Sequence, residues 1–598
     1  MVYDPTTRSY VQSNRLLKIT TDLGVDMVML TELDGVDELS RPFLFKIRMV
    51  TDRPMEDVKA LLSTAVTLEF GAAGTEDGRR PFRGYLRRLV RTELTNATRD
   101  EWQWEAEVVP RLWFLSLRTN MRIHKDITFQ QIVMKMAGEY GIPTPVMRAT
   151  SFGSTKLDFC VQYRESDLAF LSRIMERYGW FYFHQHDKHQ TNLIVADANL
   201  HADQRTVLDD SNLISVEEDF SVQSGQWSLR EFDPFSFVAS AERRPTKISG
   251  KALNTAHERY DYVGAFIEKS GQSGVMGLVP VGRDLTDVAM EREEARHHLC
   301  RGASINAHLD AGRRATVAGS DVLVTAVTHR ARDYSHWTDA DWGAQERTAP
   351  FYENAFTCIP FAVPFRPEAI TPRPVVDGPQ TAKVTFGGDN PQIDKFGRVK
   401  LDFHWDREHS GSAWVRVSQG WAGKGHGQMH IPQTGDEVIV EFLEGDPDRP
   451  IVTGRVYNGK NTVPFPLPGE HTRSGIKTVR DNQLRFDDAN GKEEVYIRAA
   501  KTLLTEVVDT ETHKVGLGGT GDRITEIANS DTLTLKQGNL KIKATMGGVE
   551  IEAAQQIVLK VGASKLTVNQ GGVTIEGTMI ELKAVALVKI NGATITIG

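Results

Sequence analysis

The sequence predicts a mainly β, multi-domain chain: a base of β-barrels with a few helices, a small middle barrel, and a C-terminal β-helix in which three copies intertwine as a prism. Three observations carry that expectation. A chain of 598 residues exceeds what one hydrophobic core organises. Short segments of alternating apolar and polar residues dominate it. After Pro468 the chain has no proline, cysteine or tryptophan, and apolar pairs return about every eight residues.

The base begins at about Leu16. Phe43–Met49 and Ala65–Phe70 alternate as strands do, and Trp102, Trp104, Glu105 and Glu107 continue the period of two. Gly71, Gly74, Gly78 and Gly84 punctuate the connections. Two helices have readable ends. Thr128 with Gln131 makes a capping box, Phe129, Ile132, Val133 and Met136 form one apolar stripe, and Gly141 stops the helix, giving residues 128–140. Ser166 caps a second helix over 166–178, with Asp167 in its first turn and Gly179 at its end. Leu168, Leu171, Ile174, Met175 and Tyr178 form its buried side. A strand starts at Trp180-Phe181-Tyr182-Phe183, a third helix is expected over 285–299, and the rest to about Ala362 reads as β, two barrel-type subdomains in all.

Pro360, Pro364, Pro367, Pro372, Pro374 and Pro379 leave few backbone donors for a ladder, so this stretch reads as a semi-rigid linker. Five strands follow in fewer than eighty residues: Lys383–Phe386, Val399–Phe403, Trp414–Val417, Glu437–Phe442 and Ile451–Val456. They suit a small closed barrel of the oligonucleotide-binding (OB) shape, which by itself says nothing about a ligand. Gly435 makes the turn into the Val438 strand, Gly445-Asp446-Pro447 is a hairpin turn, and Pro450 and Gly454 lie in the strand beyond. Asp448 and Arg449 can pair across that turn as exposed residues worth at most ~1 kcal/mol. The expected domains are 1–375, 376–468 and 469–598.

The last block carries the pairs Leu533/Leu535, Leu540/Ile542, Val549/Ile551, Ile557/Leu559, Leu566/Val568, Val573/Ile575, Ile580/Leu582, Val588/Ile590 and Ile595/Ile597. Each unit is a short strand with one apolar face and Lys, Glu or Thr on the other. One such strand per eight residues closes no core alone. Three chains winding together solve the problem, each supplying one wall of a triangular prism filled by Val, Ile and Leu, among them Val568 and Ile575. Strand pairing then removes the exposed edges, and proline is absent because it would delete a ladder hydrogen bond. Gly538, Gly547, Gly548, Gly562, Gly571, Gly572, Gly577 and Gly592 fall at the corners, where positive φ is cheapest. A single-chain β-solenoid stays open as the alternative, although such coils take about twenty residues per turn and no clean period of that size occurs.

With 40% hydrophobic and 25% charged residues the chain is an ordered one, and a net charge of -8 invites no nucleic acid. Met1–Asn14 is polar, unlike a signal peptide, and no run of 18 apolar residues occurs, so export would need another machine. Cys160, Cys300 and Cys358 are far apart and make no Cys-x-x-Cys pair. They read as buried small hydrophobes in a chain that folds under reducing conditions.

Candidate chemistry is sparse. His184, His186 and His189, with His201 nearby, have the spacing of a metal site, but a run ending in Asp187-Lys188 reads more simply as an exposed hairpin. Gly423-x-Gly425-x-Gly427 lacks the Lys-Ser/Thr ending and the following helix of a phosphate loop. Asp487-Asp488 and Glu493-Glu494 flank the turn Ala489-Asn490-Gly491, whereas a glycosidase needs two carboxylates converging across a cleft. The block after Pro468 holds 16 Lys plus Arg against 16 Asp plus Glu, so no acidic groove is legible there. No catalytic residue, metal ligand or cofactor site is expected.

Two motifs resemble a known family. The first runs Gly420-Trp421-Ala422-Gly423-Lys424-Gly425-His426-Gly427, Ile431-Pro432-Gln433-Thr434-Gly435-Asp436-Glu437-Val438, Phe442-Leu443-Glu444-Gly445-Asp446-Pro447-Asp448-Arg449-Pro450 and Gly454-Arg455-Val456-Tyr457-Asn458. The second is Tyr163-Arg164-Glu165-Ser166-Asp167-Leu168 leading to Met175-Glu176-Arg177-Tyr178-Gly179. In this order, ahead of the repeat, they resemble the VgrG proteins, the valine-glycine repeat spikes of type VI secretion, which are related to phage tail hubs and spikes.

The resemblance implies a homotrimer whose base sits on the ring of tube protein, whose OB-like barrel is a neck and whose prism is a needle. Sheath contraction would drive it through a target membrane after assembly in the bacterial cytoplasm. It also implies a small tip protein of the proline-alanine-alanine-arginine (PAAR) repeat type, with effectors, at the strands holding Ile595 and Ile597. The sequence stops at Gly598, and both a chain ending there and one continuing into an effector domain are compatible with the pattern. The competing readings are the hub-spike of a phage tail or tail-like particle, and a tailspike-like enzyme degrading cell-surface polysaccharide.

Overall fold

The computed structural model describes residues 3–4, 9–71, 78–96, 100–152, 156–157, 159–199, 205–235, 238–250, 252–262, 279–335, 349–385 and 393–598. Gly74, His201 and Phe386 lie outside them. The chain forms two compact units, one of Met1–Ser474 with Asp487–Glu493, the other of Gly475–Phe486 with Glu494–Gly598. Among the described residues no helix is long and apolar enough to cross a membrane.

Strands of both barrel-type groups join in one twelve-stranded sheet in the first unit. The seam is the antiparallel pairing of Met29–Glu38 with Ser320–Arg332, where Leu33 faces Ala331. Leu213–Phe220 and Leu17–Thr20 lie at the two ends of the strand order. A second sheet places Gln223–Asp233 between Val238–Pro245, antiparallel, and Leu253–Tyr262, parallel.

The helix Phe129–Glu139 carries the full capping box, with Thr128 Oγ1 accepting from the Gln131 N–H and the Gln131 side chain reaching back to the Thr128 N–H. In Asp167–Tyr178 the Ser166 hydroxyl accepts from Ala169, and Gly179 ends the helix at φ 70°. The third helix spans Val279–His297 rather than 285–299. Its first turn holds Pro280, whose missing N–H has no intrahelical role there, and Leu299 already belongs to the strand His298–Ser304.

Five strands of the barrel pair in the order Lys400–Phe403, Gln380–Thr385, Glu437–Phe442, Pro450–Val456, Arg416–Val417. Their core of Val384, Val399, Leu401, Phe403, Val438, Val440 and Val452 also takes in Ile123, Val161 and Tyr163 from the base. The proline-rich stretch is fastened along its length. Arg366 donates to Glu291 at 2.8 Å, Thr371 Oγ1 to Glu176 at 2.7 Å, and the Val376 N–H to the Gly445 carbonyl at 2.8 Å.

In the second unit Gln556–Val561, Ser564–Asn569 and Gly572–Glu576 form an antiparallel meander. Three units thus fold back within one chain, because two-residue connections at 562–563 and 570–571 suit tight hairpins. The register sets Ile557, Val568 and Val573 in one row and Leu559, Leu566 and Ile575 in the next. All six therefore share a face, with Lys560, Lys565 and Glu576 on the other. From 499 to 555 the chain has no helix or strand and bends at 500–501, 508–509, 517–519, 528–529, 536–538, 545–547 and 554–555. No residue there has a ladder partner among the described residues. Of the corner glycines, Gly538, Gly562 and Gly572 have positive φ, and Gly547, Gly548, Gly571, Gly577 and Gly592 do not.

The histidine reading needs correction. Phe181–His186 and Thr191–Ala196 do form a hairpin, but His184 is buried, and both His184 and His186 stack edge-on against Phe43. Phe181, Tyr182, Phe183 and His184 are all buried, so the strand carries His184 into the aromatic core. Among the described residues no group of three or more His, Cys, Asp or Glu side chains is placed to hold a metal ion. Burial pushes His184 down to about 3, and burial with the Arg80 charge takes His186 and His329 well below the usual range. His124 falls to about 4 through burial and then Lys135 and Arg122.

These rings stay neutral in the folded base, while the unfolded chain takes up protons below about pH 6.5. Stability is therefore whole above about 6.5 and drains as the pH falls towards 4 and 3, with His184 alone costing about 2 kcal/mol at pH 5. Asp37, raised to about 6, and Asp448, raised to about 7, both chiefly by burial, act in the opposite direction but are fewer. The thermal midpoint of the base is expected to fall between pH 7 and pH 5, and less steeply in His184→Phe; a midpoint that holds or rises on acidification contradicts this assignment.

Candidate functional site

Two features concentrate the motif residues: the loops that join the barrel to the base, and the apolar face of the repeat. In the barrel, Gly435 adopts φ 90° and its N–H donates to the Val384 carbonyl, which turns the chain into Glu437–Phe442. Gly445 stands at φ 70°, and a Cβ there would lie 2.7 Å from Val375 Cγ1, so this position needs glycine to hold the proline-rich stretch close. Pro450 opens its strand opposite Phe442, at a strand's first residue where proline is tolerated. Gly454 pairs with Ile439 beside a register shift in the same ladder.

Asp448 and Arg449 are not an exposed pair. Asp448 Oδ1 accepts the Val161 N–H at 2.6 Å, and its carboxyl, raised by burial and by the Asp446 charge, is opposed by Arg173. Arg449 reaches Glu231 at 3.7 Å, a carboxylate only 2% exposed. The turn Gly445–Pro447 aims both side chains into the base, because the Asp446 carboxylate accepts the Asp448 N–H at 2.9 Å and fixes the loop. A cavity of about 380 Å³ remains there, lined among others by Tyr178, Phe235, Trp414 and Arg416.

The second motif meets the first from below. Tyr163 packs in the barrel core, and its hydroxyl accepts from Gln380 at 2.7 Å. Glu165 takes the Arg173 guanidinium at 2.9 and 3.0 Å, while buried Asp167 accepts from Arg118, Tyr140 and Gln162. Glu176, also buried, holds both the N–H and the hydroxyl of Thr371. These carboxylates are engaged in tying strands, helix and linker together. Sequence reasoning missed the burial of Glu231, Glu176 and Arg80 and the bond from Val161 to Asp448, since a charged residue carries no local sign of a distant partner.

The remaining candidates resolve simply. Ala422–Gly423 and His426–Gly427 form an exposed hairpin rather than a phosphate loop. Asp487 accepts from Thr472 and Arg473 at 2.8 Å, which holds its carboxyl down at about 2. In the repeat, Val568 is 38% exposed, Ile575 and Ile595 about half exposed and Ile597 91% exposed. Similar exposure recurs at Leu540, Ile542, Val549, Ile551, Leu582 and Ile590. An ordered row of apolar side chains facing water is a surface built for contact.

The sequence matches the phage tail baseplate hub (GPD) family over residues 36–335, the type VI secretion system/phage-baseplate injector OB domain over 381–457, and the bacteriophage T4 gp5 C-terminal trimerisation domain over 469–575. It is similar to the type VI secretion system spike protein VgrG1b of Pseudomonas aeruginosa, at 31% identity over 84% of this chain and 70% of that protein. VgrG1a of the same organism is 30% identical over 92% of this chain and 88% of its own. The fold is shared with the c3393 protein of E. coli, described as a component of the type VI secretion system with structural similarity to T4 tail proteins gp27 and gp5. The TM-score is 0.52 at 21% identity, over 74% of this chain and 99% of that one. With the hub family spanning half of its length and a spike relative at 31% identity over most of both proteins, this chain belongs to the VgrG family of type VI secretion system spike proteins.

Proposed function

We propose that the chain is the central spike of a type VI secretion machine, a trimeric puncturing device that carries effectors through a target-cell envelope. The observation that carries this reading is the apolar face of the repeat. Nine apolar pairs at near-regular spacing lie between Leu533 and Ile597, and in one chain all of their side chains but Ile557 and Leu566 are exposed. Two further copies would cover that face and extend the ladder. Membership of the spike family and the match to a trimerisation domain over 469–575 support the same assembly.

In this reading residues 1–375 form the base on the tube ring, 376–468 the neck and 469–598 the needle. Asp448, Arg449, Tyr163 and Gly445 are the positions that hold neck to base. The exposed Ile595 and Ile597 at the end of the repeat are the expected platform for a PAAR-type tip protein with its effector. In this reading the spike acts by mechanics, and the motif carboxylates Asp448, Asp167 and Glu176 serve the fold through their hydrogen bonds. The hub-spike of a phage tail or tail-like particle is the second reading, favoured by the matches to phage hub and T4 gp5 families.

Light scattering of the purified chain is expected to give three times 66.8 kDa over a wide dilution range. A monomer retaining all its β-structure contradicts the proposal. Val568→Asp puts three carboxylates on the shared face and should abolish or weaken assembly, at a cost of several kcal/mol (order of magnitude). Lys565→Ala, on the opposite face, should cost less than ~0.5 kcal/mol. Equal trimer content in both variants would show that the apolar face is not the interface.

A further inference from the structure

The sequence sets Cys300 and Cys358 far apart, yet the twelve-stranded sheet makes them direct cross-strand partners. His298–Ser304 and Phe351–Pro360 run antiparallel with Cys300 opposite Cys358. We propose that these two cysteines form a redox-active dithiol, a modification site in the base that closes to a cross-strand disulfide by exchange with a small disulfide of the glutathione class.

Directly opposed residues of an antiparallel pair have Cα atoms about 4.5–5.5 Å apart, inside the roughly 4.4–6.8 Å that a disulfide spans. The Cys358 thiol donates to the Cys300 carbonyl at 3.3 Å, so its sulfur already lies against its cross-strand partner. Both are buried with Val317, Val324 and Phe356. The third cysteine, Cys160, lies in a different core cluster with Phe170 and Ile174.

Access comes from the sheet edge. Glu218, on the edge strand Leu213–Phe220, is the register partner of Cys300 on its other side, and its side chain is 46% exposed. Edge strands open locally at low cost, and opening this one uncovers Cys300 before Cys358, which lies one strand further in beside Val324. The two sulfurs are also chemically unequal. The hydrogen bond from Cys358 lowers Cys300, whereas that bond and then burial raise Cys358.

The order of events follows. The Cys300 thiolate attacks one sulfur of the oxidant R–S–S–R, forming a Cys300–S–S–R mixed disulfide and expelling RS⁻. Cys358, giving up its proton, then attacks the Cys300 sulfur, forming the Cys300–Cys358 bond and expelling the second RS⁻. Two thiols and one small disulfide become one protein disulfide and two small thiols. If the spike reading holds, the pair would stay reduced during assembly in the cytoplasm and close in an oxidising envelope compartment, stapling two inner strands of the base. The exchange chemistry itself does not depend on that reading.

The test uses the full-length protein, reduced, desalted and incubated with oxidised glutathione at neutral pH, then alkylated after denaturation. Two of the three thiols should be lost, with a mass decrease of about 2 Da, a cross-linked Cys300–Cys358 peptide pair and Cys160 still alkylated. Cys160→Ser should form the disulfide equally, and Cys358→Ser should trap glutathione on Cys300. Three thiols retained under conditions that oxidise the unfolded chain would overturn the proposal, as would a disulfide through Cys160 or between chains. A persistent mixed disulfide on the wild-type protein would do so too. Because the readout is a thiol count, it can fail while the spike reading stands, and the reverse.

Discussion

A strand of four or five residues with one apolar face is the constraint on which this molecule depends. Repeated every eight residues, it presents an unbroken apolar surface and a continuous row of backbone donors and acceptors, and one chain closes neither. The meander Gln556–Glu576 shows the limit of what a single copy does: three strands pair, and their shared Ile, Leu and Val face stays open to water. From 499 to 555 even the ladder lacks partners among the described residues. Chain association is therefore part of folding for this segment, and rigidity under load follows, because a rod of shared ladders has no single weak contact to fail first.

The base meets the opposite demand. It must hold a small barrel at a defined place, and it does so with an apolar core shared across the junction and with polar contacts beside it. Val161 and Tyr163 enter the barrel core, Asp448 accepts the Val161 N–H, Arg449 reaches Glu231, and Glu176 grips the proline-rich stretch at Thr371. Each buried charge costs desolvation, so each has a specific partner and tolerates little displacement. Such contacts favour one arrangement over a range of tilted ones.

What the sequence made legible was local or periodic. Thr128 with Gln131 and Ser166 with Gly179 mark helix ends because capping is satisfied within three or four residues. Val384, Leu401 and Val438 alternate because one side of each strand is wet. The repeat was readable for the same reason. What escaped depended on distant partners. His184 looks like a hairpin residue until Phe43, more than a hundred residues earlier, closes over it. Asp448 looks like a surface turn until Val161 arrives, and Cys300 and Cys358 become neighbours only through the order of strands in a twelve-stranded sheet. The third helix starts at Val279, ahead of Leu285 where the apolar spacing begins, so its first turns carry no periodic signal.

Amide hydrogen exchange across residues 499–555 of the assembled protein distinguishes a repeat completed by neighbouring copies from one that stays unpaired. Among the described residues these amides have no ladder partner within one chain, so protection along the stretch would come from neighbouring copies. The account predicts slow exchange throughout the stretch, lost on dissociation by Val568→Asp. Exchange at the rate of an unstructured peptide in the intact wild-type assembly would contradict it.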